Sequence, residues 1–281
     1  MKTGMILLLN LFLLTSFTTQ NNSREITDKM IRAINNVSTL KYKLKSFERL
    51  TDGKYKSSEQ DVKYGKNPFR YYIYSIKPDK GAEVLYNSQV NKKDVLVNPN
   101  AFPYVNVYLS PYSSVLRKNR HHTSFDVGFD YFAGIVNYLV KESGAEIEDR
   151  IRIDGEVRFN NRDCYKLVMN YPEYKHVDYV VKKGETVTSI AKKLFVSDYK
   201  ILELNKSVAG YDDVQAGKTI KVPNLYAKSV VVYIDKKNLL PIMQEMHDEK
   251  GMYERFEFLD LQLNPTFQQN EFTKDFKDYH F

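Results

Sequence analysis

The sequence contains no tryptophan and a single cysteine, and only Gly 12 and Pro 9 among its 281 residues. One thiol excludes an intramolecular disulfide and any zinc site built on cysteines. Sparse glycine and proline exclude collagen-like and linker-dominated architectures. No apolar stretch reaches the ~20 residues of a membrane-spanning helix, so no transmembrane segment is expected. Gly-rich phosphate loops, a Gly-x-Ser-x-Gly elbow and a His-Glu-x-x-His helix are all missing. Aromatic and basic residues are abundant: Tyr 22 and Phe 16, with Lys+Arg 42 against Asp+Glu 35, a formal +7. Together with many Val and Ile, these aromatics favour half-buried sheet over a helical bundle. A charged fraction of 27% beside 42% apolar residues is that of an ordinary folded core. The length admits one large domain or two smaller ones.

The first twenty residues read as an export signal. Lys2 is followed by an apolar run from Met5 to Leu14, broken by Asn10, and by the small polar exit Thr15, Ser16, Thr18 and Thr19. No cysteine ends the run, so lipid anchoring at that point is not expected, and the mature chain should be an exported, soluble protein of the periplasm or cell envelope. Export places nucleic acid out of reach. Removal of residues 1–20 takes away Lys2 alone and leaves a formal +6.

Beyond the signal, Ile26, Met30, Ala33, Ile34 and Val37 follow helical spacing. Short segments rich in Tyr, Val and Ile come next, at Lys41–Leu50, Lys54–Tyr64, Phe69–Ile76, Ala82–Tyr86, Asp94–Val97 and Tyr104–Leu109. Turn clusters such as Pro78-Asp79-Lys80-Gly81 separate them, which predicts an antiparallel meander. In the last segment, alternation turns Val105, Val107 and Leu109 to one face. Phe125 to Val140 returns to helical spacing and is apolar over most of its circumference, as for a helix lying inside a curved sheet. Strand patterns resume at Glu146–Ile153, Gly155–Phe159, Cys164–Tyr171, Ser229–Ile234, Leu240–Asp248 and Tyr253–Leu263, with a bulge expected near Phe258 where the apolar parity flips.

Between those strand groups the pattern changes. Tyr179-Val180-Val181 is a short strand and Thr186 a candidate N-cap. Val187, Ile190, Ala191, Leu194 and Phe195 then follow helical spacing, Ser197 or Asp198 can cap a second helix, and Thr219 to Pro223 closes with a strand. The residues Tyr179, Val181, Gly184, Glu185, Thr186, Val187, Ile190 and Ala191, followed by Leu202, Asn205, Gly217, Ile220, Val222 and Pro223, closely resemble the lysin motif, LysM. Glu185 stands where the motif usually has Asp, and Val187 where it has Leu. The resemblance implies binding of peptidoglycan or a related N-acetylglucosamine glycan, with Gly184, Glu185, Thr186 and Val187 lining one wall of a groove and the loop at 207–210 the other.

The remaining sequence resembles an uncharacterised family of secreted bacterial proteins similar in architecture to periplasmic lipoprotein carriers (LolA-like) and lipid-sensing regulators of sigma-factor pathways. The residues that carry this are Pro78 to Tyr86, Asn98-Pro99, Arg120-His121-His122 with Asp126 and Gly128, and the closing Asp275-Phe276, Tyr279 and Phe281. The implied fold is α+β: a strongly bent antiparallel β-sheet, an unclosed barrel, wrapped around helices. The expected division is a signal peptide at 1–20, a bent-sheet domain at 24–177 plus 224–281, and an inserted βααβ LysM domain at 178–223. An apolar cavity for lipid or lipoprotein acyl chains would be lined by Tyr72, Tyr74, Phe129, Phe132 and Val136. The alternative is an envelope scaffold or stress-sensing regulator whose bent sheet binds a protein partner.

No catalytic constellation stands out, and the expectation is a binding protein that is not an enzyme, with no cofactor and no metal. His121 and His122, adjacent in an extended or loop segment, should point apart and not form a metal site with Asp126. Glu146, Glu148 and Asp149 read as solvated charge at a strand entry, and Cys164 as a buried structural thiol.

Overall fold

A computed structural model describes residues 22–281; the proposed signal at 1–20 lies outside the described residues. A first helix, α1, is described over 22–35. Its apolar stripe places Met30 and Ile34 in the core, each at most 1% exposed. The meander follows as β1 (Thr39–Arg49), β2 (Tyr55–Gly65), β3 (Arg70–Lys77), β4 (Glu83–Asn87), β5 (Val95–Asn98) and β6 (Val107–Leu109). A short helix α2 (Ser114–Arg117) leads to α3 (Asp130–Ser143) and α4 (Ile147–Arg150), then β7 (Ile151–Phe159) and β8 (Arg162–Asn170). The chain continues through β9 (His176–Val180), α5 (Val187–Leu194), α6 (Asp198–Leu204) and β10 (Thr219–Pro223), and ends with β11 (Ser229–Asp235), β12 (Pro241–Asp248) and β13 (Gly251–Leu263).

Eleven strands form one antiparallel sheet in the order β6-β5-β4-β3-β2-β1-β13-β12-β11-β8-β7, with free edges at β6 and β7. The sheet is therefore not closed into a barrel. Its inner face packs against α1 and α3 in one core that includes Tyr42, Tyr64, Phe129, Phe132, Val136 and Phe258. The Tyr42 hydroxyl accepts from the Gly128 amide at 3.1 Å, and the Tyr64 hydroxyl donates to Asp130 at 2.7 Å, fixing the start of α3 over β1 and β2.

Two local expectations are corrected, and the bulge expected near Phe258 is present. Residues 144–150 are helical where a strand was expected from Glu146, because Ile147 is the one buried residue of that stretch and no period-2 pattern precedes Ile151. The strand ahead of Leu109 starts only at Val107; Tyr104 has a positive φ of 57° and Val105 is 51% exposed, so the chain turns there. The bulge sits at Asp260, two residues past Phe258: the pairs Lys41↔Gln262 and Lys43↔Leu259 leave one extra residue on β13, and Asp260 takes φ 53°. That extra residue is what lets both Phe258 and Leu261 face inward.

β8 and β11 pair directly, with Asn170 opposite Ser229. The segment between them is a two-stranded β9–β10 sheet with α5 and α6 and its own core of Val181, Val187, Ile190, Ala191, Val196, Ile201, Ile220 and Val222. Asn224 donates its backbone N–H to Lys175 at 3.0 Å and Tyr171 to Lys228 at 2.8 Å, so both ends of the segment leave the sheet together. After β13 the chain crosses the outer face of the meander, where Phe276 and Tyr279 cover Tyr72, Leu85 and Leu96.

Candidate functional site

The inner face of the sheet is graded in polarity, and the register shows how. The deepest row across the strands is Tyr42, Val62, Ile73, Val84 and Val97, successive partners from β1 to β5. One step along, Leu44 pairs Gln60 and Phe258, and Gln60 pairs Ser75. The next row sets Ser46 opposite Ser58 and Phe256. The last sets Glu48 opposite Lys56 and Glu254. Two-residue periodicity thus carries one wall from apolar to charged over four layers.

These rows enclose a cavity of about 600 Å³, closed on the other side by Phe132 and Ile135 of α3 and by the segment 115–128. That volume falls within the range of small-molecule sites, roughly 300–1,000 Å³. Of the residues expected to line it, Phe132 does. Phe129 and Val136 are buried beside it, at 1% and 0% exposure, within the packed core. Tyr72 and Tyr74 are on the opposite face of the sheet, because Ile73 between them takes the inward parity. There Tyr72 stacks on Tyr279 with ring centroids 3.6 Å apart and donates to Glu83 at 2.6 Å.

The charged end of the cavity holds an arrangement that the sequence reading missed. His121 and His122 do not diverge: His121 Nδ1 and His122 Nε2 both reach Glu254 Oε2, at 2.8 and 3.0 Å, and the Tyr226 hydroxyl donates to Oε1 at 2.7 Å. Glu254 is fully buried. Burial alone would raise its pKa, but the two imidazoles outweigh it and hold the carboxyl well below the usual range. Burial likewise works against a charged His122, and Glu254 prevails, lifting it to about 9. The adjacent carboxylate of Glu48 accepts the His121 amide at 2.6 Å. Cys164 is buried away from this site, its thiol pushed up to about 11 by burial.

In the inserted unit, Gly184 is exposed with φ 81°, as the turn before α5 requires. Thr186 caps α5 through the Ser189 amide at 3.1 Å. Glu185 accepts from the Lys182 amide at 2.8 Å, the Tyr179 hydroxyl at 2.8 Å and Lys193 at 3.1 Å, and the Lys182 bond is the main reason its pKa falls to about 2. Val187 is 0% exposed and sits in the unit's core, so its side chain is not on a groove wall; its amide donates to the Tyr211 carbonyl at 2.8 Å.

The unit is joined to the sheet by buried polar contacts. Arg117, 1% exposed at its side chain, donates to Thr188 at 3.0 Å and Asp198 at 2.6 Å and lies 3.3 Å from the Tyr211 ring centroid. Lys200 reaches Asp248 at 2.7 Å and Glu203 at 3.2 Å, and Arg49 forms a two-pronged pair with the same Asp248. Tyr199 lies against His121, with ring centroids 4.5 Å apart.

Comparison with known proteins places most of this chain in one family. Residues 37–199, more than half of the sequence, match DUF1571, a family of proteins of unknown function. The chain belongs to the DUF1571 family. This DUF1571 protein also contains a LysM domain at residues 179–223. It is 31% identical over 122 residues to the endolysin of Bacillus phage B103, in an alignment that covers 40% of this chain and 44% of the endolysin, so the chain spans less than half of that relative. Among solved structures it is similar to an uncharacterised conserved protein from Thermus thermophilus (TM-score 0.41, 12% identity, 92% and 96% of the two chains). It is similar also to a LolA superfamily protein from Nitrosomonas europaea (TM-score 0.36, 12% identity, 90% and 98%) and to the MucA/MucB complex of Pseudomonas aeruginosa (TM-score 0.42, 11% identity, 89% and 60%).

Proposed function

We propose that this DUF1571 protein is an exported, non-enzymatic component of the cell envelope that holds an acyl chain in its bent sheet while its LysM domain binds peptidoglycan or a related N-acetylglucosamine glycan. The observation that carries the lipid half is the open cavity of about 600 Å³ whose deep rows are Val62, Ile73, Val84, Val97, Phe132 and Ile135. A scaffold that bound only a protein partner would gain stability by filling that space with its own side chains. The glycan half rests on the LysM match and on the exposed turn at Gly184. With Val187 buried, the polar groups offered to a sugar are backbone amides and carbonyls of the two loops, which suit an acetamide.

The test uses the full chain in two readouts. It should sediment with insoluble peptidoglycan and be released by soluble N-acetylglucosamine oligomers; failure to sediment would overturn the glycan half. Native mass spectrometry should show acyl-chain adducts that disappear in Ala82→Trp, which plugs the cavity from a small, partly exposed position on its wall. Adducts that survive Ala82→Trp unchanged would place the lipid elsewhere and overturn the cavity reading.

A further inference from the structure

Every carboxylate at the charged end of the cavity has a partner, whereas two of its cations have none. Glu48 accepts the His121 amide at 2.6 Å, Asp126 accepts the Thr123 amide and hydroxyl, both at 2.8 Å, and Asp79 stands 3.8 Å from Arg120. Glu254 is held by both histidines and Tyr226. Lys56 and Lys118 line the same end, and among the described residues neither has a carboxylate within ion-pair distance. Lys56 is opposite Glu48 in the β1–β2 register and close enough to Arg120 and Lys118 to feel both. Its ammonium is partly buried, and burial, followed by the charge of Arg120, lowers its pKa against the opposing pull of Asp79 and Glu48. Lys56 and Arg120, partly screened from water, and the exposed Lys118 repel one another, and the nearby carboxylates, each already holding a hydrogen bond or an ion pair, offset that only in part, so an anion at this point is favoured.

The position of this group in the polarity gradient defines the class of ligand. Lys56 begins the row series that runs through Ser58 and Gln60 to Val62 along a single strand, so a ligand with its anion at Lys56 has its other end among Val62, Ile73 and Phe132. We infer that the cavity selects an anionic amphiphile, an aliphatic chain ending in a carboxylate or phosphate, and that Lys56, Arg120 and Lys118 bind the anionic head. This rests on the cavity reading above and narrows it from acyl chains in general to those with a negative head. His122, also on the cavity wall, adds positive charge near the head but is already engaged by Glu254.

Calorimetric titration of the full chain with four twelve-carbon ligands tests the inference. Dodecanoate and dodecyl phosphate are expected to bind about tenfold more tightly than neutral monolaurin and dodecylamine, a typical gain for one charge-assisted contact. In the double variant Lys56→Gln, Arg120→Gln that preference should vanish while monolaurin affinity stays the same, which also shows that the variant is folded. Raising salt should weaken the two anionic ligands only. Equal binding of monolaurin and dodecanoate by the wild-type chain, or equal weakening of both by the double variant, would overturn the inference while leaving the cavity reading in place. Inorganic phosphate binding as tightly as dodecyl phosphate would overturn the amphiphile class. If no twelve-carbon ligand binds, the cavity reading itself fails, and this inference fails with it.

Discussion

Glu254→Ala is expected to destabilise the protein by about 3–5 kcal/mol, the usual cost of removing one partner from a buried charged cluster. The carboxylate is 0% exposed and receives three hydrogen bonds, from His121, His122 and Tyr226. Without it, His121 Nδ1, His122 Nε2 and the Tyr226 hydroxyl lose the acceptor they share, and His121 keeps only its contact with the Arg49 carbonyl at 2.8 Å. The cluster also fixes a pH dependence whose sign follows from the direction of each shift. His122 is raised from 6.5 to about 9, so its contribution is complete below about pH 6.5 and is lost as the pH climbs through 9. Glu254 is depressed below its ordinary 4.5, so its contribution is present above that pH and is lost only in strong acid. Urea unfolding should therefore show greatest stability between these limits and a decline of about 2 kcal/mol from pH 6.5 to 9. Glu254→Gln, which keeps the shape and removes the charge, should flatten that alkaline decline. A decline of the same size in Glu254→Gln would mean that other groups cause it.

The second large effect is expected at Asp248, which joins the LysM domain to the sheet. Its side chain is 3% exposed and is shared by Arg49 of β1 and Lys200 of α6, and it also accepts the Lys250 amide at 2.8 Å. Asp248→Ala leaves two buried cations with Glu203 and Glu249 as their remaining acidic neighbours. The expected cost is again about 3 kcal/mol or more. It should fall on the contact between the two parts before either core, because the β9–β10 unit keeps its own apolar cluster. Limited proteolysis near residues 175 and 224 should accelerate in Asp248→Ala while far-ultraviolet circular dichroism stays close to that of the wild type. Burial opposes ionisation of Asp248, but Arg49 and Lys200 prevail and bring it to about 2. Its contribution is thus present above its ordinary 3.8 and is lost as the pH falls toward 2, so acid should loosen the same contact. Unchanged proteolysis in Asp248→Ala would show that the apolar and aromatic contacts hold the domains together without this pair.

The parts of the fold that were legible in the sequence are those in which local pattern and final environment agree. The LysM strand, cap and helix are specified within a few residues of one another, and Thr186 caps α5 as its place just ahead of the helical spacing predicts. The meander was legible because its turns are tight and its strands pair in sequence order. Face assignment failed at β3. Tyr71, Tyr72 and Ile73 are all buried, since the tail carrying Phe276 and Tyr279 covers the outer face while the core covers the inner one. A strand buried on both sides loses its alternation, and aromatic content then says nothing about which residues meet the cavity. Val187 misled for the opposite reason: a motif position next to a groove is also one turn of helix away from a core. The convergence of His121 and His122 on Glu254 spans more than 130 positions in sequence, and no local signal encodes it.

The grading of the inner wall connects sequence to function most directly. It needs only the inward residues of β2, Lys56, Ser58, Gln60 and Val62, to run from charged to apolar, and β1 to run the opposite way beside it in an antiparallel register. Segment 115–128 then roofs the cavity, while Arg117 within it is buried against the LysM domain. The cavity and the LysM domain are thereby parts of one continuous structure.

Whether one molecule holds an acyl ligand and wall glycan at the same time is tested by sedimenting insoluble peptidoglycan with radiolabelled dodecanoate in the presence and absence of the full chain. Label should enter the pellet only when the chain is present, and Ala82→Trp should leave the protein in the pellet but the label in solution. Label that remains in solution while the wild-type protein sediments would contradict simultaneous binding.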